Sequence, residues 1–214
     1  MTNIVALTAL NASRWAKCVV TPNRMAEVNA VAKRLCDPAA KARYQAISQA
    51  VWGAPDRWYF VALTHEREAS QRWDRQLGQG DLLDEISRHV PKGLGPFLAH
   101  PGDVPGNDAF HRCAVFTLQK SPPYAVRWTD WSPGGVMTLT VLYNGTGYED
   151  YHHEASPYDW GATNIEQEGK YIEDGIYSAA VWDKQLGCAA MLKGMIALDP
   201  SITFEDAIAA APVA

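Results

Sequence analysis

The sequence predicts a mainly helical α+β fold, a helical body with a small β-hairpin lobe flanking a cleft, on three observations. Apolar residues recur at three- and four-residue steps over much of the chain, a stretch dense in glycine and proline interrupts them, and a second irregular region is crowded with aromatic and acidic residues. A chain of 214 residues, 47% hydrophobic and 20% charged, buries a substantial core, and disorder is excluded as its main theme. The length fits one domain of two lobes or two small domains. A single domain over 1–214 is expected, with N-terminal helices to about residue 56, a core over 57–200 and a tail over 201–214.

From about Pro22 to Cys36, residues Met25, Val28, Val31, Ala32 and Leu35 follow helical spacing, and Thr21 is the expected N-cap. A second helix opens at Asp37-Pro38, carries Tyr44, Ile47, Val51 and Trp52 on one side and stops at Gly53. Pro55-Asp56 then opens a third, in which Trp58, Val61, His65 and Glu68 share one stripe. The glycines and prolines between Gly78 and Gly106 predict a short hairpin and long loops. Helical spacing resumes at about Asp108 to Gln119 and from Pro133 through Leu142, where Gly134 and Gly135 predict the close approach of a neighbouring helix. That helix ends at Tyr143-Asn144-Gly145. Tyr148 to Gly175 reads as loop, Ala179 to Leu198 as a final long helix, and Thr203 to Ala211 as a short one in the tail. No internal repeat is present, which excludes solenoids.

Net charge of -5 argues against nucleic acid and anionic membranes as partners. No uncharged apolar run approaches the length of a membrane span, and no secretory leader is legible, because Asn11, Ser13, Arg14 and Lys17 break the one candidate stretch. Synthesis in a cytoplasm is therefore expected. Cys18, Cys36, Cys113 and Cys188 lie far apart and read as buried thiols, with two disulfides as the alternative in an oxidising compartment. The eight tryptophans and nine tyrosines suit core packing and, for a minority, stacking on sugar faces.

The strings His65-Glu66 and His152-His153-Glu154 raise a metalloprotease reading, which fails because Ala69 stands where His-Glu-x-x-His needs its second histidine. His152-His153-Glu154 reads as a solvated loop rather than a metal site. No Gly-x-Ser-x-Gly elbow and no phosphate-cradling loop is present. Neither metal nor organic cofactor is expected.

Two carboxylates remain at Glu66 and Glu68, and a helix turns positions two apart about 200° away from each other. Only Glu68 continues the Trp58, Val61, His65 stripe. Desolvation there, and the negative end of the helix dipole, oppose its ionisation, which is what a general acid in glycoside cleavage requires. The competing reading is a structural glutamate paired with Arg67, Arg72 or Arg75. A second carboxylate is sought on the proposed hairpin among Asp74, Asp81 and Asp84; Gly78 and Gly80 permit a turn that returns Asp81, whereas Asp74 has Arg72 and Arg75 beside it.

The run Ala62-Leu63-Thr64-His65-Glu66-Arg67-Glu68-Ala69-Ser70, followed by Leu77-Gly78-Gln79-Gly80-Asp81, resembles the catalytic helix and hairpin of phage-type endolysins of the lysozyme-like superfamily. It is similar to the Arg-Glu-Ser element of goose-type lysozymes, with Ala69 in place of the serine. Leu142-Tyr143-Asn144-Gly145-Thr146-Gly147-Tyr148 resembles the Tyr-Asn-Gly motif of lytic transglycosylases and goose-type lysozymes, and Ser156-Pro157-Tyr158-Asp159-Trp160 and Gly169-Lys170-Tyr171 resemble endolysin elements. The likeness runs from about Trp58 to Leu192 and leaves the first fifty residues unassigned.

The resemblance implies a lysozyme-like fold and a muramidase that cleaves the β-1,4 bond between N-acetylmuramic acid and N-acetylglucosamine of bacterial peptidoglycan. Glu68 would be the acid and Asp81 would position water. His65, Tyr143, Asn144, Tyr148, Tyr158 and Trp160 would meet the glycan. It further implies a monomer that crosses the host membrane through a pore made by another protein and acts on the wall. The alternatives are a lytic transglycosylase leaving anhydro-muramic ends, if no aspartate reaches the water, and a non-catalytic module that binds wall glycan.

Overall fold

The computed structural model describes residues 2–89, 92–173 and 175–205. The chain falls into two compact units, one formed by 1–32 with 129–214 and the other by 33–128. The fold class is mainly α with a small two-stranded antiparallel sheet.

In the first unit, α1 (Ile4–Lys17) begins where the Asn3 side chain accepts from the Ala6 amide (3.1 Å). It packs on α6 (Pro133–Asn144), capped by Ser132 and buried from Gly134 to Val141. The close approach expected at Gly134 is present. A methyl there would stand 2.7 Å from the Thr8 carbonyl and 2.8 Å from Ala12 Cβ, so only glycine lets the two helices meet at this spacing. α8 (Cys188–Leu198) follows the same logic at Gly194, whose added Cβ would lie 2.9 Å from Val28 and 3.0 Å from Ala32. Those two belong to α2 (Met25–Leu35), along which the chain passes into the second unit.

The helix expected from Pro22 starts as a 3-10 turn over Pro22–Arg24 before α2, because the Thr21 hydroxyl donates to the Ala162 carbonyl (3.1 Å) instead of capping. The final helix begins at Cys188, not Ala179. Residues Ile176–Ser178 form β2, which pairs with β1 (Lys170–Glu173), and Gly187 is extended against the Asp159 and Gly161 backbone. Tyr148 to Gly175, read as loop, contains a π-helical turn at Tyr148–His152 and the short α7 (Pro157–Trp160). Most of the expected tail helix lies outside the described residues; Thr203 to Glu205 are not helical.

In the second unit, α3 (Pro38–Trp52) is started by Asp37, whose carboxylate accepts from the Ala39 and Ala40 amides, and is closed by Gly53 in the left-handed region. It packs against α4 (Trp58–Ala69) and α5 (Ala109–Lys120), the last capped by Asp108. The hairpin expected between Gly78 and Gly106 is reduced to isolated bridges at Arg75–Leu82 and Val104–Asn107. Past Leu82 the segment is tied back by scattered bonds, Leu83 to Asp74, Phe97 to Leu83 and a closed turn between Ser87 and Gly93-Leu94, and among the described residues these do not extend into a ladder. Among the described residues, the paired strands therefore belong to the other unit.

Candidate functional site

α4 is buried on every side from Trp58 through His65. The one-sided stripe that singled out Glu68 is thus not a face: spacing selects a direction only when the other sides are wet. The helix emerges at its last turn, where Glu66, Arg67 and Glu68 are partly exposed. Ser70, left-handed, donates its amide to the Glu66 carbonyl, and Gln71, also left-handed, donates to that of His65, which ends the helix. Glu66 is held in a two-pronged bond by Arg34 (2.9 and 3.0 Å), and Arg34 also reaches Gln71 (2.7 Å).

The turn at Gly78–Asp81 returns onto this end of α4. A methyl on Gly80 would stand 2.6 Å from the Glu68 carbonyl oxygen, so the backbone of the turn rests directly on the glutamate's own peptide group. Gly80, at φ +70, takes a conformation that L side chains disfavour. Nearby, Arg72 pairs with Asp74 (2.8 Å) and Arg75 donates to the Gly80 carbonyl (3.2 Å).

Asp81 points from that turn into the segment after it. Its Oδ2 accepts from the Arg88 (2.9 Å) and His89 (3.3 Å) amides, and its Oδ1 meets His89 Nδ1 (2.9 Å). Partial burial pushes this carboxyl up, but the hydrogen bonds from Arg88 and His89 outweigh it and hold the group below the ordinary range. Asp81 is an ionised anchor for the 88–89 backbone.

His65, expected to meet the glycan, is wholly buried and presents no surface to a ligand. Its Nε2 lies 3.0 Å from the Arg72 carbonyl, which can only accept, so Nε2 carries the proton and Nδ1 accepts from the Tyr44 hydroxyl (3.0 Å). Phe110 and Trp73 pack on the ring at centroid distances of 4.3 and 4.7 Å, and Arg43 lies over Trp73 (3.6 Å). Burial, with the charges of Arg43 and Arg34 behind it, brings His65 down to about 4 against the opposing bond to Arg72. Its role is to fasten the α4 C-terminus to the chain that leaves it.

The remaining expected glycan contacts belong to the first unit. Tyr143 is half-buried and Asn144 exposed, at the end of α6. Tyr148, Tyr158 and Trp160 are interior, Trp160 completely, so they offer no flat ring face to a sugar. The Tyr148 hydroxyl accepts from the Tyr171 amide (3.0 Å) and ties the π-helical turn to β1. Among the described residues, the aromatic rings most open to solvent are Tyr151, 77% exposed, and Trp182, 52% exposed. Sequence reasoning passed over both, since nothing in local spacing distinguishes them from interior aromatics.

His152-His153-Glu154, expected as a solvated loop, is solvated only in part, with His153 exposed. His152 stacks on Tyr177 (3.6 Å, 14°) and reaches the Tyr171 hydroxyl (3.0 Å), while Tyr177 donates to Glu154. Among the described residues, no group of three histidine, cysteine or acidic side chains is placed to hold a metal ion. The four cysteines are free thiols, buried except for Cys36, which is half-buried. Among the described residues, no helix is long and apolar enough to cross a membrane.

No family model, curated protein or solved structure matches the chain.

Proposed function

We propose that this chain is a peptidoglycan-cleaving muramidase in which Glu68 protonates the glycosidic oxygen between N-acetylmuramic acid and N-acetylglucosamine. The observation that carries the reading is the seating of the Gly80 turn on the Glu68 carbonyl. This is a partly exposed glutamate at a helix C-terminus braced by a glycine turn, which supports the resemblance to lysozyme-like endolysins, although the Asp81 that follows is turned into the 88–89 segment and not toward it. A rigid backbone under a catalytic carboxyl keeps it in line with the leaving oxygen. The buried helix before it supplies the fixed support, with His65 locking the exit.

One observation favours a second reading. The Asp81 carboxylate is directed at the 88–89 amides and at the His89 ring. An aspartate so committed favours release by internal ring closure, the lytic transglycosylase route, over an aspartate-held water. In either route the acid is Glu68 and the bond cut is the same.

Purified sacculi incubated with the protein, and the released muropeptides weighed by mass spectrometry, test both. Hydrated reducing ends are expected from the muramidase and anhydro-muramic ends from the transglycosylase. Glu68→Gln is expected to lower release by about 10²–10⁴-fold while the protein still sediments with sacculi. Undiminished release by that variant sinks the assignment of the acid, and cut peptide stems with intact glycan sink both routes. Sedimentation without cleavage by the unaltered chain points to a binding module.

A further inference from the structure

The first fifty residues carry no recognisable motif, yet α1 and the residues just before it make two polar contacts to the turn that follows Tyr143-Asn144. At one end the Thr2 hydroxyl donates to Asp150 Oδ1 (2.7 Å), whose other oxygen accepts from Thr146 (2.8 Å). Towards the other end, Arg14 lies 3.8 Å from Glu149, with both side chains shielded from solvent (14% and 9% exposed). Successive carboxylates thus reach Thr2, just before α1, and Arg14, in its last turn, and so tie the π-helical turn Tyr148–His152 to both.

The Arg14 end continues inward. Arg14 donates to Asn11 Oδ1 (3.2 Å), and the fully buried Asn11 donates to Thr138 of α6 (3.2 Å). Glu149 Oε1 also accepts from the Ser156 amide (3.4 Å), at the residue that caps α7. Glu149 Oε2 is buried with no hydrogen-bond partner. Burial raises the Glu149 carboxyl and lowers the Arg14 guanidinium, so neither group gains from its surroundings what water would give it. A buried ion pair with an unsatisfied oxygen is a poor source of stability, since apolar side chains of similar volume hold an interface as well or better. What it does supply is register, because a charge pair tolerates one alignment and an apolar contact several.

We propose that α1 is a positioning brace for glycan recognition: the Arg14–Glu149 pair and the Thr2–Asp150 bond fix the register of residues 143–152 on the first unit, where Tyr143 and Asn144 are the surface groups expected to meet the wall. This rests on the proposed function for its ligand, not for its geometry. Arg14 and Glu149 touch no substrate and act through the segment they hold.

The test is the double variant R14M/E149L of the full chain, which replaces the pair by apolar groups of similar length, beside R14K, which keeps the charge. The double variant, which also strips Asn11 Oδ1 and the Ser156 amide of a partner, is expected to fold with a lowered thermal midpoint and to keep its kcat on purified sacculi, with KM and the binding constant from co-sedimentation about tenfold weaker; R14K is expected to recover most of that loss. An unchanged KM in the folded double variant overturns the brace. Should that variant not fold, Thr2→Val and Asp150→Asn, at the more exposed end, carry the same expectation and the same refutation. Backbone amide resonances of residues 143–149 separate this from the enzymatic reading. They are expected to move in the variants even if the unaltered chain neither binds nor cuts sacculi, and their constancy overturns the brace whatever the activity.

Discussion

The peptide carbonyl of Glu68 is the surface on which Gly80 lies. An added Cβ at Gly80 would come within 2.6 Å of that oxygen, so the last turn of α4 and the tight turn before Asp81 are in backbone contact. Whatever the Glu68 side chain does, its Cα is held from below by a second stretch of chain.

Gly80→Ala is therefore expected to do damage on two counts, the contact and the φ of +70. We expect a loss of about 1–3 kcal/mol, read as a lower urea midpoint at unchanged slope, together with reduced muropeptide release. Gly53, also left-handed but with open space around it, is the control: Gly53→Ala should cost less and leave release untouched.

His65 makes stability depend on pH. Its folded value of about 4 lies below the unfolded value of about 6.5, so the folded state holds the neutral ring. That preference is fully expressed above pH about 6.5 and is lost as pH falls from there through about 4, because the unfolded chain takes up the proton first; the loss amounts to about 3 kcal/mol. Urea titrations at pH 7 and pH 4.5 should differ in this sense. The difference should shrink in His65→Gln, and a pH-independent midpoint in the unaltered protein would contradict the assignment of a buried neutral imidazole.

Gly134→Ala drives a methyl into the α1 backbone at Thr8 and Ala12. Overpacking of this kind costs about 1–3 kcal/mol. The expected signature is faster hydrogen exchange along α1, with amides of α3 and α5 protected as before, since those helices belong to the other unit.

Thr140→Val removes the hydroxyl that donates to Asp159, a carboxylate with no solvent exposure. Depriving a buried carboxyl of its hydroxyl partner is expected to cost about 1–3 kcal/mol. The check is a lower urea midpoint at unchanged slope for the variant at neutral pH.

What the sequence determined by itself was local. Helix starts near Asp37 and Asp108 were legible from spacing, and the stop at Gly53 and the glycine approach at Gly134 from one residue's missing Cβ, whereas the one N-cap expected, Thr21, bonds elsewhere. The mainly helical class followed from spacing for the same reason. Tertiary structure decided which side chains are wet. His65, Tyr148, Tyr158 and Trp160 carry chemistry suited to sugar contact and are interior, while Tyr151 and Trp182 are outside, and no neighbour in the sequence records that difference. Solvent exposure is a property of what the rest of the chain leaves uncovered. The same holds for Asp81, whose direction was set by amides several residues on, and for Arg14, which found its carboxylate 135 positions away only once α1 had packed.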